Sequence, residues 1–274
     1  MTVWHPNAPI LFSLAVNSAK RITAPPRKGD QRDALVSIVF AAASLEAFLN
    51  ESVYLAEVSL QRKARELKLG HHADEEPPTV SAFAQVVGEA EESRARTLSK
   101  FHLANLVLTG KAYDKGGDLF QNCSDLFEAR NLLMHGKSEE TFLTIEGEPS
   151  VLNPVRIFKR LASKKVLADI PPEQKATHIT VVGDTGIVDL ILQEEIEKVL
   201  LKSPESGVMA RWSFVIGTKA AAEWACSSAA RMATDLMEKI PISLWKQFME
   251  HNLLKQFSDP FKGCTLTGHD LGVP

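Results

Sequence analysis

The sequence predicts an all-α protein, an up-down helical bundle with a mixed α/β or irregular insertion. Three observations carry this prediction. Apolar residues recur at helical spacing through the first 135 residues, and residues 31–70 contain no proline but much Ala, Leu and Glu. Between residues 140 and 185 the helical spacing weakens and prolines and β-branched clusters appear. Helical spacing then returns, so we expect the later helices to complete the bundle.

The predicted helices follow in order along the first half of the chain. The first covers 6–22 and is ended by the paired prolines Pro25 and Pro26. A long helix covers 31–70, with Gly70 as its stop, and one or two shorter helices lie within 79–108. Asp118 caps the N-terminus of the next helix, which contains the segment LFEARNLLMHGK at 126–137.

The second half is predicted to be mixed. Within the insertion, THITVV at 177–182 is expected to be a strand and VRIFKRLASKK at 155–165 a short basic helix. Helices are expected again at 187–201 and at 207–240, the latter ending at Pro241. The resulting division is 1–139 for the first part of the bundle, 140–185 for the insertion, 186–257 for the closing helices and 258–274 for an irregular tail.

Composition limits the function. The net charge of −3 gives no global basic field, so any site for a polyanion must be local. Cys123, Cys226 and Cys264 are odd in number and far apart, which predicts reduced thiols rather than disulfides or a zinc site. No apolar run approaches the roughly 18 residues of a membrane span, and the N-terminus lacks the basic region of a signal peptide. We therefore expect a cytoplasmic protein with no membrane contact, no cofactor and no metal.

An arginine stands on the apolar face of the helix that begins at Asp118. At about 100° per residue, Leu126, Phe127, Leu133 and Met134 all fall within roughly 60° of Arg130. A buried guanidinium keeps its proton and needs an anion or several acceptors.

The long helix at 31–70 offers a partner for this arginine. Glu46 is surrounded on the helical wheel by Val39, Ala42, Ala43, Leu49, Asn50 and Val53, all apolar except Asn50. A buried Glu46–Arg130 pair avoids the cost of two isolated buried charges. Because such a pair adds little to stability, its presence indicates a role other than stability.

The flank of the same helix carries polar residues. Glu128, Asn131 and His135 recur at i, i+3 and i+7, so Asn131 and His135 are helical neighbours. His135 precedes Gly136, a helix stop, where the negative end of the helix dipole favours imidazolium. This position suits a proton donor or acceptor near neutral pH.

The spacing of Arg130 and His135 decides nothing alone. Arg65 with His71 or His72, and Arg96 with His102, have similar spacing but lie in highly charged segments. A lone histidine near a helix end is more often a surface or capping residue, and a lone Arg–Glu pair is more often architectural. Only Arg130 combines an apolar setting, a polar next residue, a histidine at a helix end and an acidic partner.

With these features, the segment Arg130-Asn131-Leu132-Leu133-Met134-His135 resembles the R-x(4–6)-H motif of the HEPN superfamily of helical-bundle ribonucleases. The segment AAASLEAFLNE around Glu46 is similar to the earlier, acid-bearing helix of many members. The resemblance covers mainly residues 33–60 and 118–136, and the helix near 207–239 is consistent in type. The long insertion directly after the motif departs from the simplest members.

The resemblance implies a metal-independent endoribonuclease that leaves a 2′,3′-cyclic phosphate. It also implies a homodimer whose two motifs face one shared cleft. Because many relatives act as toxins or in defence against phage, an antitoxin or a defence partner protein is expected as a partner. Carried over by position, His135 is the general base or acid, Arg130 steadies the motif or the phosphate, Asn131 orients groups and Glu46 holds Arg130.

Local positive charge for RNA lies in the insertion. The basic residues of the predicted short helix have near-helical spacing and are candidates for phosphate contacts: Arg156, Lys159, Arg160, Lys164 and Lys165. A solvated surface is the simpler explanation of this run. Two other functions stay open: a catalytically silent module that binds RNA, nucleotide or a protein partner, and an unrelated helical scaffold with a structural Arg–Glu pair.

Overall fold

The computed structural model describes residues 6–23, 30–70, 76–135, 141–143, 151–152, 160–161, 164, 166, 179–183, 186–189, 208–210, 216–253, 257 and 261. Helices dominate these residues, as the sequence predicts. The tail at 258–274 lies outside the described residues except for Phe261, which is buried.

Seven helices are found in the part of the chain that the structure describes. They are α1 (Asn7–Arg21), α2 (Asp30–Lys68), α3 (Pro78–Glu92), α4 (Thr97–Thr109), α5 (Asp118–His135), α6 (Lys219–Lys239) and α7 (Leu244–Asn252). The first five agree with the predicted helices to within a few residues. The predicted start of α5 at Asp118 and the predicted stop near Gly70 are confirmed.

A five-stranded antiparallel sheet follows α5 in the chain. Its strands are β1 (Thr141–Leu143), β2 (Val151–Leu152), β3 (Ile179–Gly183), β4 (Gly186–Asp189) and β5 (Val208–Ala210), in the order β2-β1-β5-β3-β4. The central strand β5 pairs with β1, where Phe142 faces Met209, and with β3, where Thr180 faces Met209. The prediction of a strand at 177–182 is confirmed by β3.

Two predicted helices are wrong at their first residues. The helix expected at 187–201 begins in strand β4, and residues 190–207 lie outside the described residues. The helix expected at 207–240 begins only at Lys219, because Val208–Ala210 form β5. The apolar runs at both places fit a strand or a helix equally well. The partner strands β1 and β3, which are distant in sequence, decide the outcome.

The chain divides into two compact units. The first comprises Met1–Asn17, Ser37–Phe127 and Ala225–Thr265, and the second comprises Ser18–Val36, Glu128–Trp224 and Leu266–Pro274. The first unit holds α3, α4, α7 and most of α2, whereas the second holds the sheet and the last turns of α5.

Buried serines run along α2 at intervals of seven or eight residues. They are Ser37, Ser44, Ser52 and Ser59, each 0% exposed. The Ser37 hydroxyl donates to the Ala15 carbonyl of α1 at 2.9 Å, and the other three donate to carbonyls of α2 itself. Small residues with satisfied hydroxyls let neighbouring helices approach α2 closely.

Aromatic side chains close the core of the first unit around α2 and α7. Trp245 is 0% exposed, its ring lies 4.5 Å from that of Phe83, and its indole N–H donates to the Ser52 carbonyl at 3.0 Å. Phe257 stacks on Phe12 at 4.7 Å. The Trp245 contacts anchor α7, a helix of only nine residues, which has little stability of its own.

One described helix, α2, is long and apolar enough to cross a membrane by length and composition. This corrects the expectation that no run approaches that length. Half of its most apolar 18-residue window is buried, which is also typical of a soluble core helix. The cytoplasmic location therefore stays a prediction.

Candidate functional site

The motif helix α5 keeps Arg130 half-buried. Leu126 and Ala129 are both 0% exposed and Phe127 is 6% exposed, so the turn before the arginine packs in the core. Toward the helix end the apolar face opens, since Met134 is 59% exposed. The predicted buried surroundings of Arg130 are therefore confirmed on its N-terminal side. The prediction is wrong at Met134, because α5 ends one residue later. Arg130 is thus half-buried as a residue, and the Nε atom of its guanidinium is buried.

Asn131 and His135 occupy the end of the same helix. Asn131 is exposed, and His135 is the last residue of α5. Their separation of four residues puts them on one side of the helix, one turn apart. The predicted stop Gly136 lies outside the described residues.

Glu46 lies in the first unit, on α2, and is half-buried rather than buried. The hydroxyl of Thr97, the first residue of α4, donates to its Oε1 at 3.4 Å. Its neighbours on α2 include Ala42 and Leu49, both 0% exposed. The motif residues from Arg130 onward belong to the second unit, so the Glu46–Arg130 pair stays a prediction.

A polar network one turn along α2 from Glu46 was not predicted. Lys100 of α4 is 3% exposed, and its ammonium contacts the carboxylate of Glu91 at the end of α3. The Asn50 amide donates to Glu91 Oε1 at 3.2 Å, and Lys100 Nζ donates to Asn50 Oδ1 at 3.5 Å. A signal existed, because Lys100 falls on the apolar stripe of α4 with Phe101 and Ala104.

Of the predicted phosphate-binding residues, Arg160 and Lys164 are described, whereas Arg156, Lys159 and Lys165 lie outside the described residues. Arg160 Nη2 donates to Oε2 of Glu128 on α5 at 2.7 Å, and the two side chains are 34% and 38% exposed. The predicted basic helix is represented by two helical residues, Arg160 and Leu161. The ion pair therefore joins the basic segment to the motif helix within the second unit.

A second polar group in the first unit, partly buried, involves Tyr113. Its hydroxyl donates to Asp235 Oδ2 of α6 at 2.5 Å, and Lys239 donates to the same oxygen at 2.6 Å. The ammonium of Lys239 also lies 4.3 Å from the Tyr113 ring centroid. Burial and the Asp235 carboxylate raise the pKa of Tyr113, and burial raises the pKa of the Cys123 thiol. Neither group is set up to lose a proton at neutral pH, which favours a structural role.

The competing arginine–histidine pairs are less suited to catalysis. Arg65 and Arg96 are exposed, and His71 and His72 lie outside the described residues. His102 is half-buried, and its ring meets that of Phe120 edge-on at 5.9 Å. This aromatic packing gives His102 an architectural explanation.

Among the residues that the structure describes, no group of three or more His, Cys, Asp or Glu side chains has the arrangement of a metal site. Comparisons of the chain with protein families, with curated proteins and with solved structures found no match.

Proposed function

We propose that the protein is a metal-independent endoribonuclease of HEPN type that cleaves RNA to a 2′,3′-cyclic phosphate. The observation that supports this proposal is the arrangement of α5. Arg130 is half-buried behind a packed turn, Asn131 is exposed, and the helix ends at His135. Arg130, Asn131 and His135 thus lie within the last two turns of one helix.

In the proposed reaction the ribose 2′-oxygen attacks the adjacent phosphorus and the bond from phosphorus to the 5′-oxygen breaks. The 2′-hydroxyl loses a proton and the leaving 5′-oxygen gains one, so no water is consumed. His135 performs one of these transfers, and His135 of a second copy in a homodimer performs the other. Arg130 stabilises the charge on the phosphate, and Asn131 orients the reacting groups.

In this proposal Glu46 is the residue that would hold Arg130. The Thr97 hydroxyl donates to Glu46 Oε1 at 3.4 Å. Arg130 is half-buried and not sealed in the core, and a guanidinium sealed in the core would have no access to a phosphate. The finer fold proposal is a HEPN-like bundle in which α2, α5 and α6 are the defining helices. A cytoplasmic toxin or phage-defence role with an antitoxin or partner protein belongs to the same proposal.

The test compares the native protein with His135→Ala on mixed cellular RNA in EDTA. A matched control is His251→Ala, because His251 is an exposed histidine in the last turn of another helix, α7. We expect cleavage by the native protein and by the His251 variant, and at least a hundredfold slower cleavage by the His135 variant. The new ends should resist phosphatase until acid opens the cyclic phosphate.

Equal cleavage by all three proteins would indicate a contaminating nuclease and refute the assignment of His135. If none cleaves but the native protein binds RNA, the silent binding module is the better description. Far-ultraviolet circular dichroism of each variant ensures that lost activity is not lost folding.

A further inference from the structure

The ion pair between Arg160 and Glu128 connects two segments that are 32 residues apart in sequence. Both side chains remain about one-third exposed, so water and a ligand can reach the pair. Such exposed pairs contribute little to stability because solvent screens them. Stability alone is therefore a poor explanation for its presence beside the motif.

The backbone of Arg160 is held on its C-terminal side. Leu161 is 0% exposed, and Lys164 N donates to the Arg160 carbonyl at 3.2 Å. Val166 is 5% exposed, and its carbonyl accepts the Thr218 hydroxyl at 2.9 Å just before α6. Arg160 thus extends from an anchored turn, which lowers the entropy lost when its side chain binds a ligand.

Glu128 directs this arginine to the polar side of α5. Asn131 follows Glu128 by three residues, and His135 follows it by seven, which is nearly two helical turns. The backbone positions of Glu128 and His135 are therefore on the same side of α5, about 10 Å apart along its axis. A group bound at Arg160 lies on the side of the helix where the proposed chemistry takes place.

We propose that Arg160 binds a backbone phosphate of the RNA strand near the cleaved bond and that Glu128 is its positioning residue. This inference rests on the proposed function and names one phosphate contact within it. Guanidinium groups bind phosphate oxygens through paired hydrogen bonds, and the carboxylate of Glu128 keeps the group near α5 until RNA arrives. Glu128 acts through Arg160 and does not contact the reacting atoms.

The test is a double-mutant cycle on binding, with the native protein, Glu128→Ala, Arg160→Ala and the double variant. The probe is a fluorescent single-stranded RNA with 2′-O-methyl groups, which lacks the nucleophile and is not cleaved. We expect Arg160→Ala to weaken binding about tenfold and to reduce the salt dependence by about 0.7 in log–log slope. Glu128→Ala should weaken binding about threefold, although it removes a negative charge.

The decisive result is the second half of the cycle. Because Glu128 acts through Arg160, its removal should have no further effect in the Arg160→Ala background. The matched control is Glu89→Ala, which removes one charge from an exposed position on α3 and should leave the affinity unchanged. Tighter binding by Glu128→Ala, equal loss in both backgrounds, or native affinity of Arg160→Ala would each overturn the inference.

Cleavage assays separate this inference from the proposed function. With a cleavable RNA, both variants should raise KM and leave kcat and the melting temperature close to native, which a merely structural role would not do. If the native protein cleaves RNA through His135 but the variants have native KM, only the Arg160 contact is refuted. If the native protein neither cleaves nor binds RNA, the proposed function fails first.

Discussion

Replacing the buried Lys100 by alanine and by methionine should give very different stabilities. Lys100 is 3% exposed, but its partner Glu91 is 43% exposed. Alanine removes three buried methylene groups, a loss of about 2 kcal/mol at about 0.8 kcal/mol each. Glu91 loses its partner but stays hydrated, which adds at most about 1 kcal/mol. We expect Lys100→Ala to lower the free energy of unfolding by about 3 kcal/mol.

Methionine keeps most of the apolar stem and removes the charge. The attraction to Glu91 is lost, but the cost of removing the ammonium from water is lost as well, and the two effects offset each other. The free energy of unfolding of Lys100→Met should therefore lie within about 1 kcal/mol of the native value. Urea denaturation followed by tryptophan fluorescence measures both values, since the chain has four tryptophans. A methionine variant as unstable as the alanine variant would refute this reasoning, because the ion pair itself would then be the main contribution.

Three further outcomes test the fold. Trp245→Phe should cost about 2 kcal/mol by urea denaturation, from a lost hydrogen bond to Ser52 and a smaller ring, and a neutral result would contradict the observed packing. Burial raises the pKa of Glu51, so this carboxyl favours folding most below its ordinary pKa of 4.5 and loses that contribution as pH rises through the raised pKa. Glu51→Gln should therefore gain stability relative to native as the pH rises above 4.5, and a constant difference would exclude the effect. Gly110 ends α4 at φ +72° with open space around it, so Gly110→Ala should cost about 1 kcal/mol from backbone strain alone, and less with asparagine.

Local signals were sufficient for much of the helical fold. The helix ends near Arg21 and Gly70 and the helix start at Asp118 were indicated by residues close by in sequence, and the structure has helix boundaries at these places. Strand β5 of the sheet could not be predicted from such local signals. Strand β5 consists of three residues that pair on one side with β1 and on the other with β3, and the sequence near Val208 contains neither partner. The sequence pattern thus predicts a helix from residue 207, whereas the structure has strand β5 at Val208–Ala210 and the helix only from Lys219.

The same contrast between local signals and partners distant in sequence applies to the candidate site. A charge on an apolar stripe is visible in a single helix, and both Arg130 and Lys100 fit that description, but the partner of such a charge comes from elsewhere in the fold. For Lys100 the partner is Glu91, an acceptor outside its own helix, and the result is a closed network with Asn50. Arg130 differs because exposed Asn131 follows it and α5 ends at His135. We expect the Lys100 network to be structural and the end of α5 to be catalytic. Lys100→Met should therefore leave RNA cleavage intact, whereas His135→Ala should abolish cleavage at unchanged stability. The reverse pattern would mean that the buried network, and not the end of α5, carries the function.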